Sequence, residues 1–366
     1  MLHGLSAGTV LRVAALIALA GLWSGPAFAK SKPKDDAVRQ ACVSAFGDRD
    51  HFSWMPRMGL TNALATCDAA ITQFPDDAEV RLYHAVARDQ RAELGGTQED
   101  NLLATEVYRE LADGGMEMAE YALATMFDES SGVSTSDALV TMQRARAGEF
   151  GQSIRCEAIR TFGQSDLDGN GASYDVAAAE SLAHGNYVCA GLLMGMYWSG
   201  YAAAGDLPLA VGDYARYAAV HGDANAMAMT GLFYTYGTGS TDIDPQLQGQ
   251  YEARQDAERA GYWLLLAHWA TKSSMRPQVH DDFWRGQHLQ SAAVVEAMQT
   301  ALKALGLYEN DIDGNFIAPT QVALDMFEAS DIDAVFQAVR AKEKYDPSLG
   351  PREALHLGSA AIAATD

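Results

Sequence analysis

The chain has 366 residues, with 26 Lys and Arg against 48 Asp and Glu, a formal charge of −22 and 48% apolar residues. That balance argues against nucleic-acid binding, which relies on Lys and Arg to neutralise phosphate, and against docking on anionic lipid. The length leaves room for two or three domains of ~100–200 residues each.

At the start of the chain, Arg12 precedes the apolar run VAALIALAGLW, which leads into Ser24-Gly25-Pro26 and then AFA before Lys30. A basic residue, a short apolar stretch and a small-x-small site predict a secretory signal peptide over residues 1–29. The run is well short of the ~20 residues that a spanning helix needs, and no later segment is longer and apolar. Removing residues 1–29 leaves 337 residues with 25 basic and 48 acidic side chains. The mature chain is therefore expected to be exported, without a membrane span, and kept soluble by its acidity. Four cysteines in an exported chain predict disulfides, with three connectivities open. None has C-x-x-C spacing, so neither a zinc knuckle nor a redox motif is present.

The middle of the chain carries a repeat. Ala-rich, helix-periodic stretches end at LADGG, ARAGE, LAHGN, AVHGD and ERAGY, placing Gly114, Gly148, Gly185, Gly222 and Gly261 at intervals of 34 to 39 residues. Each glycine suits a left-handed cap that ends a helix. Each is followed by another apolar helix, such as YVCAGLLMGMYW or ANAMAMTGLFYTY. A helix–loop–helix unit of ~35–45 residues cannot bury its own apolar face, so neighbouring units must stack into a solenoid.

These units resemble the Sel1-like repeats, relatives of the tetratricopeptide repeats. ANAMAMTGLFYTYGTGS matches the family pattern at Ala226, Gly231, Tyr234, Gly237 and Gly239, with Thr230 in place of a leucine. AEYALATMFDESSGVSTSDA repeats it with Ala124, Phe127, Ser130, Gly132 and Val133. The resemblance covers residues 79–272. Upstream, NALATCDAAITQFPDDAEVRLYHAVAR is similar to a tetratricopeptide helix, turn and helix, with Pro75-Asp76-Asp77 as the turn, so residues 37–78 are expected to cap the solenoid. Cys42 then lies on the helix antiparallel to that of Cys67, and a bridge between them follows from the resemblance. Cys156 and Cys189 fall 8 and 4 residues after their unit glycines on corresponding helices of adjacent units. Helices ~8–10 Å apart bring such side chains together, so a second bridge, Cys156–Cys189, is expected, with two buried thiols as the alternative. The aromatic clusters read as repeat cores, and Tyr197, Trp198, Tyr234 and Tyr236 are assigned to the concave surface that solenoids present to partners.

The chain changes character after residues 273–290, which read as a linker. AVVEAMQTALKALGLYENDIDGNFIAPTQVALDMFEAS, within an expected helical module at 291–346, resembles the small peptidoglycan-binding domain of type 1, a three-helix bundle. Leu302, Leu305 and Gly306 end the first helix. Asp313, Gly314, Phe316 and Thr320 occupy the family loop, and Ala323, Leu324 and Phe327 continue the next helix. Ile317 and Ala318 replace the family Gly-Pro, and Pro319 comes one position late. Residues 347–366 read as a tail.

Two stretches open like calcium loops, Asp166-Leu-Asp168-Gly-Asn170-Gly171 and Asp311-Ile-Asp313-Gly-Asn315. A calcium loop needs a bidentate carboxylate at position twelve, where these carry Ala177 and Val322, and glycine at position six, where the second has Phe316. Both are expected to be turns built by Asp, Asn and Gly. His184 and His221 precede unit glycines, a position favourable to the helix dipole, while His280 and His288 with Asp281 and Asp282 match no established ligand spacing. No metal or cofactor is expected. Catalytic motifs such as H-E-x-x-H, G-x-S-x-G or a Walker loop are lacking, and the carboxylates are too dispersed to pair as in glycosidases. The resulting expectation is an all-α, non-enzymatic, periplasmic scaffold that binds an envelope protein through its solenoid and peptidoglycan through its C-terminal module. The alternatives are an accessory subunit of a wall-active enzyme and a regulator of a sensor kinase.

Overall fold

The computed structural model describes residues 36–54, 56, 59–126, 134–166, 176–183, 185–198, 210–236, 256–272, 280 and 284–343. The expected signal peptide, the tail and most of the Asp166–Gly171 stretch lie outside them, as do His184, Asp281, Asp282 and the loop glycines Gly237 and Gly239. Among the described residues the chain forms fifteen α-helices and one π-helical turn, with no strand.

The N-terminal helices are α1 (Asp36–Phe46), α2 (Leu60–Gln73) and α3 (Ala78–Glu93). Cys42 of α1 and Cys67 of α2 form a disulfide with Cα atoms 4.7 Å apart and a sequence separation of 25. Closing a loop of that size contributes about 3 kcal/mol in the chain-entropy account. Asp77 starts α3 as its N-cap, its carboxylate accepting from the N–H groups of Glu79 and Val80 at 3.1 Å each, which satisfies donors that the first turn leaves open.

The helix pairs that follow are α4 (Gln98–Asp113) with α5 (Glu117–Thr125), α6 (Thr135–Ala147) with α7 (Gln152–Asp166), α8 (Val176–Ala183) with α9 (Tyr187–Trp198), and α10 (Ala210–Ala219) with α11 (Ala224–Tyr236). Each helix packs chiefly on its neighbours in the chain, which is the arrangement of a solenoid. Gly148, Gly185 and Gly222 have φ of 94°, 86° and 99° and end their helices in the left-handed conformation expected of them. In LADGG it is Gly115, at φ 85°, that takes this role, while Gly114 stays right-handed.

Gly261 departs from the expected pattern. It lies inside α12 (Ala257–Lys272), which runs on without a break. A Cβ there would come within 2.0 Å of the carbonyl oxygen of Ala297 on α13 (Ala292–Ala304). The glycine is needed for a close helix crossing, not for a cap.

The last helices are α13, α14 (Ala318–Glu328) and α15 (Ile332–Lys342), and all three pack on α12. Pro319 falls in the first turn of α14, where its missing N–H costs no helical bond. They share one hydrophobic core with the preceding solenoid helices: Trp263, Leu265, Leu302, Phe327 and Phe336 belong to a single buried cluster that begins at Cys156. Within the segment expected as a linker, His280 and Trp284 are buried, and residues 284–288 form the π-helical turn. A second cluster, from Cys42 to Ala158, fills the N-terminal half. No helix among the described residues is long and apolar enough to cross a membrane.

Cys156 and Cys189 carry free thiols, both buried. The second bridge expected from sequence is therefore not formed: the pair is present as two thiols. The Cys189 thiol lies 3.6 Å from the carbonyl oxygen of Gln152. Burial, and then its contact with Cys156, push its pKa well above the ordinary thiol value, so it is held as an unreactive thiol.

Candidate functional site

The loop between α13 and α14 is built around a side chain that motif matching passed over. Gln299 is fully buried on α13. Its Oε1 accepts from the backbone N–H groups of Asp313 and Gly314, each at 3.0 Å. Its Nε2 faces Asp313 Oδ1 at 2.9 Å, Thr320 Oγ1 at 3.1 Å, and Tyr308 Oη and Asn315 O at 3.2 Å. The one available signal was a polar residue on the helical face shared by the buried Val295, Met298 and Leu302, at the spacing of a core stripe.

Around that amide the expected loop residues take distinct roles. Asp313 accepts from the N–H of Asn315 at 2.9 Å, the local turn expected of Asp-x-Asn. Gln299 and then Asn315 hold its carboxyl below the usual carboxylate range. Gly314, at φ 67°, presses against α13, where a Cβ would meet Ala292 at 3.0 Å. Thr320 is buried and donates to Asn315 O at 3.1 Å. Leu305 caps α13 and packs on the core, Gly306 has φ 72°, and Phe316 lies half-buried against the same core. The Arg285 guanidinium sits 6.0 Å from the centre of the Phe316 ring. Ile312, Ile317, Val322 and Met326 are exposed around this loop.

The aromatic residues assigned to a partner surface divide into two groups. The side chains of Tyr197 and Trp198 lie outside the described residues. Tyr234 and Tyr236 make contacts within the chain: Tyr236 Oη is 2.8 Å from Ser291 Oγ, and Tyr234 is buried and donates to Glu343 at 2.9 Å. Glu343 caps α15 with its side chain wholly buried. It accepts also from Trp263 Nε1 at 2.9 Å and from Arg216 at 3.0 Å, with Arg259 3.9 Å away. A carboxylate at a helix C-terminus opposes the helix dipole, and here the two guanidiniums from α10 and α12 compensate it.

Histidines gather where α12 meets α14 and the π-helical turn. The His268 ring lies 4.7 Å from that of His280 and 5.1 Å from Trp284, and the Trp284 ring is 5.4 Å from His288. His268 Nδ1 stands 3.5 Å from Glu328 Oε1, while Lys272 bonds the other oxygen of Glu328 at 2.5 Å. Burial lowers the pKa of His288. Among the described residues no group of three His, Cys, Asp or Glu side chains is arranged to hold a metal ion.

The segment after α1 crosses the starts of α7 and α9. Ser153 donates to Asp50 O at 2.7 Å, Tyr187 donates to His51 O at 2.7 Å, and Asn186 also donates to Asp50 O. These partners lie 103 to 136 residues apart in sequence. Compared with protein-family models, curated proteins and solved structures, the chain matches none.

Proposed function

We propose that this chain is an exported, non-enzymatic adaptor of the periplasm. Its Sel1-like solenoid binds an envelope protein, and its C-terminal module, similar to a type 1 peptidoglycan-binding domain, contacts the cell wall. The Cys42–Cys67 disulfide fits an oxidising compartment,, in keeping with residues 1–29 acting as a signal peptide. The adaptor reading is supported by the stacked helix pairs with left-handed glycines at repeat spacing, an architecture whose surfaces serve recognition.

The observation that carries the wall-contact reading is the Gln299 knot. It fixes the backbone of residues 313–315 from inside and leaves Ile317 and Val322 displayed on a rigid support, as a binding loop requires. The full-length protein is expected to co-sediment with purified sacculi, and Ile317→Ser with Val322→Ser to reduce the bound fraction several-fold. Equal sedimentation of both proteins, or none of either, would remove this role. Recovery of no specific protein from solubilised envelopes, with a folded bait, would remove the adaptor role. Release of muropeptides by the wild-type chain alone would transfer the reading to a wall-active enzyme.

A further inference from the structure

We propose that the rim formed by the starts of α5, α7 and α9 is a binding site for a turn-forming peptide, gripped through its main chain, and that residues Arg49–His51 of this chain, in the turn that Asp48 starts by accepting from the N–H groups of Asp50 and His51 at 3.0 and 2.9 Å, occupy that site in cis. The proposal deepens the adaptor reading and rests on it for the existence of a protein partner.

The rim has the construction of a receptor. Asn186 and Ser153 are 0% and 1% exposed, whereas Asp48, Arg49 and Asp50 are exposed. Buried polar side chains thus spend their hydrogen bonds on a carbonyl that belongs to a surface segment. Asn186 is itself fixed: its Oδ1 accepts from Cys189 N at 3.0 Å, and its Nδ2 also reaches Ser153 Oγ at 3.2 Å. Next to this pair, Gly151 leaves the space through which the segment passes. A Cβ at Gly151 would lie 2.4 Å from the carbonyl oxygen of Arg49, so only glycine permits the backbone to lie there.

Main-chain carbonyls are common to every peptide, so Asn186, Ser153 and Tyr187 Oη grip without reading sequence. Sequence is read at two places. Glu117, the first residue of α5, pairs with the guanidinium of Arg49. Tyr187 stacks on the His51 ring with centroids 5.6 Å apart and planes 7° apart, and it also stacks with the His221 ring at 4.8 Å. The partner chemistry follows: a segment that turns as Asp48–His51 does, with a basic residue two positions before an imidazole or aromatic ring. The cis segment is tethered on one side by Phe46 and Cys42 and on the other by the buried Phe52. A short tether gives an effective concentration on the order of millimolar, so a partner peptide competes poorly until the segment is loosened.

The test uses the full-length chain and a fluorescein-labelled synthetic peptide of residues 47–54. Arg49→Gly with His51→Gly loosens the cis segment and is expected to raise peptide affinity at least tenfold over wild type. Adding Tyr187→Phe, which keeps the ring and removes one hydroxyl donor, is expected to weaken it about fivefold. A folded, disulfide-intact double variant that binds no peptide, or a binding curve that Tyr187→Phe leaves unmoved, overturns the proposal. Should the double variant fail to fold, Tyr187→Phe alone in the wild-type chain is expected to speed amide exchange at residues 50–52 severalfold. Unchanged exchange there counts equally against it. The probe is the chain's own segment, so an empty envelope pull-down leaves this result intact. A captured envelope partner indifferent to Tyr187→Phe removes only the rim.

Discussion

Gln299 holds Asp313 at two points, accepting from its backbone N–H at 3.0 Å and facing its side-chain oxygen at 2.9 Å. One buried amide thereby fixes both the backbone and the carboxylate of the residue that begins the turn. Replacing Gln299 by Met keeps the volume and strands the N–H groups of Asp313 and Gly314. An unsatisfied buried donor costs about 1–3 kcal/mol, so Gln299→Met is expected to destabilise by about 2–4 kcal/mol in urea unfolding. Amide exchange should accelerate first at 313–315. A loss below about 0.5 kcal/mol, the usual range of a surface substitution, would show that the knot is not what holds the loop.

Glu343 connects the end of α15 to three solenoid helices through Arg216, Tyr234 and Trp263. Removing one partner of a buried charge pair costs about 3–5 kcal/mol, because the remaining charge is left uncompensated. Glu343→Ala is expected to fall in that range, and Glu343→Gln, which retains hydrogen-bond capacity, below it. Denaturant titration of the two variants separates charge from shape: equal losses would mean that packing alone anchors α15.

Asp89 supplies a pH signature. Burial, reinforced by Glu93, raises its carboxyl to about 7, against the opposing Tyr108 hydroxyl 3.4 Å away. Because the folded value lies above the unfolded one of about 3.9, the stabilisation from holding this proton is complete below about pH 4. It is lost as the pH rises through 7. Asp100, drawn down to about 2 chiefly by Arg91, completes its titration well below pH 5. His84 and His288, lowered by burial, gain stability as pH rises toward ~6.5. Comparison with Asp89→Asn cancels those contributions. The stability of the variant relative to wild type is expected to rise by about 3 kcal/mol between pH 5 and pH 8, and a flat difference would contradict the assignment.

The thiols of Cys156 and Cys189 give a chemical check on the packing of α7 against α9. Both are buried, and Cys189 is held protonated by its surroundings. Maleimide at neutral pH is expected to leave the native chain unmodified and to label both residues after unfolding. Native labelling within minutes would mean that this part of the solenoid opens readily.

What could be read from sequence followed the range of the interaction. The caps at Gly148, Gly185 and Gly222 are local events, in which a helix ends where a left-handed residue is cheap, so the repeat spacing revealed them. Gly261 shares the same phrase, but its role is set by Ala297, 36 residues away, and no local pattern carries that. The nearness of Cys156 and Cys189 followed from repeat register, whereas their bonding state did not. The loop residues Asp313 and Gly314 were legible as turn formers, yet Gln299, which organises them, was legible only as a polar residue on an apolar stripe. The grip on Asp50 and His51 left no trace in sequence, because a backbone carbonyl has no residue signature.

The crossing at Gly261 and Ala297 also governs how force travels. With backbone set against backbone where α12 crosses α13, the last three helices move with the solenoid as one lever. Tension applied at the loop of residues 311–317 passes into α12 and α11 instead of being absorbed by an elastic tether. If that loop grips the wall, strain in the wall becomes torque on the stack of helices, and whatever the stack holds experiences the wall as a rigid anchor.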